Sequence, residues 1–172
     1  NITVVEKTNP FTLKHKEVSF FDTEKRELRK AGFLIRQKVK YENGNKKPGF
    51  EYGVKYRQTD PENALSADLI LNNGYTPKNE TIELESDIVY FSRNGGTNET
   101  TYSISNSVIL DKAPEMRLGS FANIYPVLGK LGIPETAPLT KVSGFSADEW
   151  MITPGKLDFG DGLFGRVDIT VW

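Results

Sequence analysis

The sequence has no cysteine, one histidine, two methionines and two tryptophans among its 172 residues. The absence of cysteine excludes disulfide bonds, thiolate metal sites and cysteine nucleophiles. The single histidine, His15, argues against a multi-histidine metal site and a Ser-His-Asp triad, and its position between two lysines predicts a surface residue. No run approaches the roughly 18 apolar residues of a membrane span.

The composition is that of a globular protein, with 37% hydrophobic and 11% aromatic residues. Its length predicts a single domain over residues 1–172. The net charge of −1 argues against a nucleic-acid or membrane partner. The charge is nevertheless unevenly distributed, because residues 1–60 hold 14 Lys and Arg against 8 Asp and Glu. This asymmetry suggests one site with a basic and an acidic half, although chance is an alternative.

Many short alternating segments separated by turn residues predict a strand-rich fold. We expect an α+β protein with a mainly antiparallel, tunnel-like barrel of about eight strands and two or three short helices. The helices are predicted over Glu24–Ala31, Pro61–Leu71 and Ser120–Leu131, with Pro126 breaking or kinking the last one. Separate strands are predicted over Glu149–Ile152 and Lys156–Phe159.

Basic residues alternate on two neighbouring predicted strands. Arg36, Lys38 and Lys40 share one strand face, and Lys55 and Arg57 share a face of the next strand. Their opposite faces carry the apolar side chains that supply packing. The cations form either a solvated surface or the lining of a polar interior, and in a closed barrel such a lining requires an anion, with Arg suited to bidentate phosphate contact. The sequence thus points to a small, phosphate-bearing ligand.

Carboxylates follow in the second half of the chain. Glu83 and Glu85 share a strand face, Asp158 and Asp161 bracket a Gly-rich turn, and Asp168 lies on the last strand. Their hard oxygens suit Mg²⁺ or Mn²⁺ bridged to phosphate. The alternative is an ordinary solvated strand face.

The order of these segments resembles the CYTH, or triphosphate tunnel metalloenzyme, superfamily. The matching residues are Phe20-Phe21-Asp22-Thr23, the segment Leu28–Lys38 and the strand Val54-Lys55-Tyr56-Arg57. The family shows a YFDT…L…AG..LRvR segment and an LKxR strand at these places. The stretch Leu118–Pro138, followed by Leu139-Thr140-Lys141-Val142, is similar to its mid-domain helix and following strand. The resemblance covers most of the chain.

The resemblance implies an antiparallel barrel of about eight strands around a polar tunnel, in which triphosphate compounds are hydrolysed or rearranged with a divalent metal. The substrate-binding residues it implies are Arg36, Lys38, Lys55 and Arg57. The implied catalytic residues are Glu83 and Glu85, and the implied ligands of Mg²⁺ or Mn²⁺ are Glu83, Glu85 and Asp168. Lys40 is expected at the tunnel mouth.

Two departures from the family pattern qualify these expectations. The N-terminal E-x-E-x-K strand is absent, and Val5-Glu6-Lys7 lacks its spacing. Either the chain lacks its first strand residues or it is a divergent member. Arg166 stands where a second carboxylate would accompany Asp168. Phosphate binding is therefore better supported than metal-dependent hydrolysis.

The leading hypothesis is a tunnel protein that binds a triphosphate or polyphosphate and hydrolyses it with metal. A non-catalytic barrel that binds another anionic ligand or a partner is the alternative. A third hypothesis is a β-sandwich adhesion or sugar-binding module with Trp150 or Trp172 as a stacking platform.

Overall fold

The computed structural model describes residues 2–72, 78–91 and 96–172. Within them the chain forms ten β-strands and three short α-helices. The strands are β1 (Thr3–Glu6), β2 (Lys14–Asp22), β3 (Phe33–Glu42), β4 (Asn45–Lys46), β5 (Phe50–Gln58), β6 (Lys78–Phe91), β7 (Thr97–Leu110), β8 (Thr140–Lys141), β9 (Ala147–Gly160) and β10 (Leu163–Val171). The helices are α1 (Glu27–Lys30), α2 (Pro61–Leu65) and α3 (Leu118–Ala122).

The strand pairs are antiparallel, and the predicted fold class, α+β with a mainly antiparallel sheet, is confirmed. None of the helices in the described ranges is long and apolar enough to cross a membrane.

The chain divides into two compact units. Unit 1 comprises Asn1–Val18, Val39–Lys47 and Ser146–Trp172, and unit 2 comprises Ser19–Lys38 and Pro48–Phe145. Strands β2 and β3 contribute residues to both.

In unit 2 the strand order is β3-β5-β7-β6. Alternation places one set of side chains in the core, including Phe33, Ile35, Tyr52 and Val54. The helices and the segment after α2 cover this face, and Phe121 packs edge-on against Tyr52 with ring centroids 5.5 Å apart. The opposite face of the same strands is left for polar side chains.

The predicted helices are present but shorter than expected. Helix α2 begins as predicted, because the Asp60 side chain accepts the Asn63 backbone N–H at 2.8 Å and Pro61 opens the helix, but it ends at Leu65. Pro126 divides the third predicted helix into α3 and the 3-10 helix Pro126–Leu131.

Helix α1 is held by a buried carboxylate. Asp22 is 4% exposed, and its Oδ1 accepts backbone N–H groups from Thr23 at 2.7 Å and Leu28 at 3.0 Å. Its Oδ2 accepts the Arg29 N–H at 3.1 Å. Asp22 thus satisfies donors that a helix start leaves without intrahelical partners.

In unit 1, β9 pairs with β1 and the first half of β2 along one side and with β10 along the other. The two strands predicted over Glu149–Ile152 and Lys156–Phe159 are one continuous strand, β9. Pro154 lies within it, next to a register shift relative to β10, and its carbonyl accepts the Lys7 N–H at 2.9 Å. The irregularity lets the strand accommodate a residue that cannot donate to the ladder.

Candidate functional site

The register of unit 2 brings the predicted basic and acidic side chains onto one sheet face, which we call the polar face. Lys55 lies opposite Leu34 of β3 and Ser105 of β7, and Ser105 lies opposite Glu83 of β6. Because directly paired residues point to the same side of a sheet, the remaining members follow by alternation. The charged members with described side chains are Arg36, Lys38, Glu51, Lys55, Arg57, Glu83, Glu85, Asp87 and Glu99.

Three of the four predicted phosphate-binding cations contact carboxylates on this face. Lys38 Nζ lies 3.1 Å from Glu51 Oε1, Arg57 donates to Asp87 at 2.8 Å, and Lys55 donates to Glu85. Among the described side chains, this face carries four cations and five carboxylates, so it has no excess of positive charge. The alternation of Lys and Arg alone suggests a strongly positive lining, but in the structure carboxylates offset these cations.

Arg36 differs from the other three cations. No carboxylate of the described chain lies within ion-pair distance of its guanidinium, although its charge acts on Glu85. Arg36 and Lys55 together line a cavity of about 20 Å³, enough for about one water molecule. The other lining residues are Phe20, Leu34, Gly53, Val54, Ser105 and Ser107. Of the predicted cations, these two share this cavity.

The floor of the polar face is made of small residues. A Cβ at Gly53 would come within 2.5 Å of Ser107 Oγ, so a larger residue here would displace the Ser107 hydroxyl. Ser103 and Ser105 are buried, and Ser103 Oγ finds no hydrogen-bond partner in the described part of the chain. Buried hydroxyls without partners are uncommon, and they are often explained by bound water or a ligand.

The electrostatics of Glu85 follow from its neighbours. Burial raises its pKa, but the hydrogen bond and charge of Lys55, helped by Arg36 and Arg57, outweigh burial and hold the pKa of this carboxyl below its usual range. Glu85 is therefore an anion at neutral pH and a competitor for any anionic ligand of Lys55.

The three predicted metal ligands are differently engaged. Glu85 is bound by Lys55, and Glu83 is exposed on the same strand. Asp168, in unit 1, accepts from Thr153 Oγ1 and Arg166 Nε, each at 2.7 Å. The hydrogen bond from Thr153 is the main cause that holds the pKa of Asp168 below its usual range, and the contact with Arg166 adds to it, although burial acts in the opposite direction.

Across the described ranges, no three acidic or histidine side chains gather as a metal-ligand set. Glu85 and Asp168 are each engaged by a cation of the chain, Lys55 and Arg166 respectively. Lys40, expected at a tunnel mouth, is exposed on β3.

A second cluster, in unit 1, was not expected from the sequence. His15 was predicted at the surface, but its side chain is 20% exposed and its ring stacks on Trp150 at 3.9 Å and on Tyr41 at 4.5 Å. Asp148 accepts a hydrogen bond from His15 Nε2 at 2.7 Å. Burial and the nearby Glu17 carboxylate raise the pKa of Tyr41. Cross-strand pairing assembles these rings, and no local pattern in the sequence could have shown it.

No family model and no curated protein matches the sequence. One matching solved structure is that of HpAC1 from Hippeastrum, an adenylyl cyclase candidate described as having a dominant triphosphatase activity. It shares 9% identity and a TM-score of 0.48, over 94% of this chain and 67% of that chain. At this level of similarity, the function must be inferred from the residues of the site.

Proposed function

We propose that the polar face of unit 2 binds the phosphate groups of a triphosphate or polyphosphate compound through Arg36 and Lys55. The observation that carries this proposal is that these two cations line one cavity over a floor of small residues. Arg36 contributes a guanidinium without a carboxylate partner in the described chain, and Lys55 contributes an ammonium held by Glu85.

The residue types suit phosphate. A guanidinium offers a planar pair of N–H donors to two phosphate oxygens, and an ammonium acts as a compact charge beside them. The hydroxyls of Ser105 and Ser107 can donate to further oxygens from the floor. The cavity holds about one water molecule, so a larger ligand would lie over it with one phosphate group directed inward.

The lack of excess positive charge on this face sets the expected strength of binding. Glu85 competes with the ligand for Lys55, and Arg57 is similarly engaged by Asp87. Since no excess positive charge attracts the anion, we expect modest affinity that weakens with salt. Hydrolysis with Mg²⁺ or Mn²⁺ held by Glu83, Glu85 and Asp168, which the sequence resemblance implies, stays a prediction. Binding without catalysis is the alternative that the paired carboxylates favour.

Thermal unfolding with tripolyphosphate tests the binding proposal, because a ligand of the native state raises the melting temperature. We expect stabilisation of the wild type without divalent metal. Arg36→Ala should bind at least about tenfold more weakly, because it loses a charge-assisted contact. Lys112→Ala is the matched control, since Lys112 is an exposed cation in the segment after β7.

The outcomes separate the hypotheses. No stabilisation at millimolar tripolyphosphate, or equal weakening by the control, would overturn the proposal. Phosphate release measured with and without Mg²⁺ distinguishes a hydrolase from a binding protein. Retention of ligand binding by Arg36→Ala would favour a different site, such as the aromatic side chains of unit 1.

A further inference from the structure

One edge of strand β10 has no partner among the described strands. The strand pairs along one side with β9, and no other strand of the described chain pairs with its second side. The strand is also unusually apolar for an exposed edge, with Leu163 65%, Ile169 53% and Val171 63% exposed. Native edge strands are normally blunted or covered, because their free N–H and C=O groups pair readily with another strand.

The two faces of β10 differ sharply in character. One face carries only apolar residues and glycine: Leu163, Gly165, Val167, Ile169 and Val171. The other face carries Phe164, Arg166, Asp168 and Thr170. The contacts of Asp168 with Thr153 and Arg166 confirm that both charged residues lie on this second face.

The charge pattern is self-complementary about the middle of the strand. Val167 is the central residue of Leu163–Val171, and Arg166 and Asp168 flank it with opposite charges. We propose that β10 pairs in antiparallel fashion with β10 of a second copy of this chain, with Val167 opposite Val167. Arg166 of each copy then lies directly opposite Asp168 of the other, giving two equivalent ion pairs related by the two-fold axis.

Neighbouring registers are less favourable because they place like charges opposite each other or mismatch the two faces. A shift that centres the axis on Arg166 places two arginines opposite each other, and one centred on Asp168 does the same for two aspartates. A register with the axis between two residues puts the apolar face of one copy on the same side as the charged face of the other. The Val167-centred register keeps both faces matched.

This pairing also covers the exposed side chains. On the apolar face, Leu163 lies opposite Val171 of the second copy, and Ile169 lies opposite Gly165. On the other face, Arg166, which is 74% exposed and bonded to Asp168 of its own strand, exchanges or shares that partner across the interface. Both free edges disappear, because each supplies the hydrogen-bonding partner of the other.

Sedimentation velocity over a concentration series up to about 200 µM tests the proposal. We expect a reversible dimer of the wild type. Arg166→Asp and Asp168→Arg should each weaken the dimer at least about tenfold, because each turns two attractive pairs into two repulsive ones. Mixing the two variants in equal amounts should restore association, because a strand with two acidic residues at positions 166 and 168 then pairs with a strand that has two basic residues there.

Two further variants keep the test specific. Arg117→Asp is the matched control, because Arg117 also forms an exposed ion pair two residues away along the chain, with Glu115 at 2.7 Å. The double variant Arg166→Asp/Asp168→Arg preserves complementarity and should dimerise like the wild type even if a single variant folds poorly. A wild type that stays monomeric throughout the series overturns the proposal. Single variants that dimerise normally, or an equal mixture that remains monomeric, also overturn it.

Discussion

Replacing Glu85 by glutamine separates two roles for this carboxylate. Glu85 binds Lys55, and it lies close enough to Arg36 and Arg57 for their charges to lower its pKa. If Glu85 is a counter-ion that competes with the phosphate ligand, Glu85→Gln will tighten tripolyphosphate binding. If it is a metal ligand or catalytic residue, the same change will weaken metal-dependent binding or abolish turnover.

The size of the effect follows from the position of the pair. Two unit charges about 4 Å apart interact by about 1 kcal/mol in bulk water and by about 4 kcal/mol near a protein surface. The side chains of Lys55 and Glu85 are 14% and 36% exposed, so solvent screens much of the interaction. We therefore expect a gain near the lower end, about tenfold in affinity or about 1.4 kcal/mol at low salt. Glutamine keeps the shape and an acceptor oxygen, so packing should change little.

Isothermal titration calorimetry with tripolyphosphate, without divalent metal, measures the change. The gain should shrink at about 0.5 M salt, because the lost repulsion is electrostatic. Glu115→Gln is a suitable control, because Glu115 is an exposed carboxylate in an ion pair with Arg117. Unchanged or weaker binding by Glu85→Gln at low salt would refute the competition that we describe.

Three further predictions concern stability. Asp22→Ala should lower the free energy of unfolding in urea by about 3 kcal/mol, because buried backbone donors lose a charged acceptor. Asp60→Ala, which removes an exposed helix cap, should cost about 1 kcal/mol. Equal losses for the two variants would contradict this reasoning. Gly53→Ala should lower stability by about 1 kcal/mol, and a Ser107→Ala background should remove most of that loss in a double-mutant cycle. The pKa of Asp168 is lower in the folded state than in the unfolded state. The ionised carboxylate therefore contributes its full stability to the fold above the unfolded pKa of about 3.9, and this contribution is lost as the pH falls through the lower, folded-state pKa. Thermal unfolding from pH 6 to about pH 2.5 should therefore show a smaller acid loss for Asp168→Asn than for the wild type.

Local patterns in the sequence were sufficient for several elements of the fold. Period-two alternation predicted which sides of β3 and β5 are buried, because side chains in a strand alternate between the faces whatever its partner. The turn at Asn43-Gly44 and the start of α2 at Asp60-Pro61 were also predictable, since each depends on the backbone preferences of adjacent residues. The break at Pro126 was predicted and is confirmed. The early ends of α1 and α2 were not predictable, because tertiary packing decides where a short helix ends.

The sequence by itself determined that Arg36, Lys38, Lys55 and Arg57 lie on the polar sides of two strands. Only the tertiary structure decided which of these cations meet carboxylates. Glu85 lies 30 residues after Lys55, and its contact depends on the registers of β5 with β7 and of β7 with β6. A slip of one residue in either register would move these carboxylates to the other face. Because strand pairing is nonlocal, the cations of β3 and β5 meet carboxylates from distant parts of the sequence only once the sheet is formed.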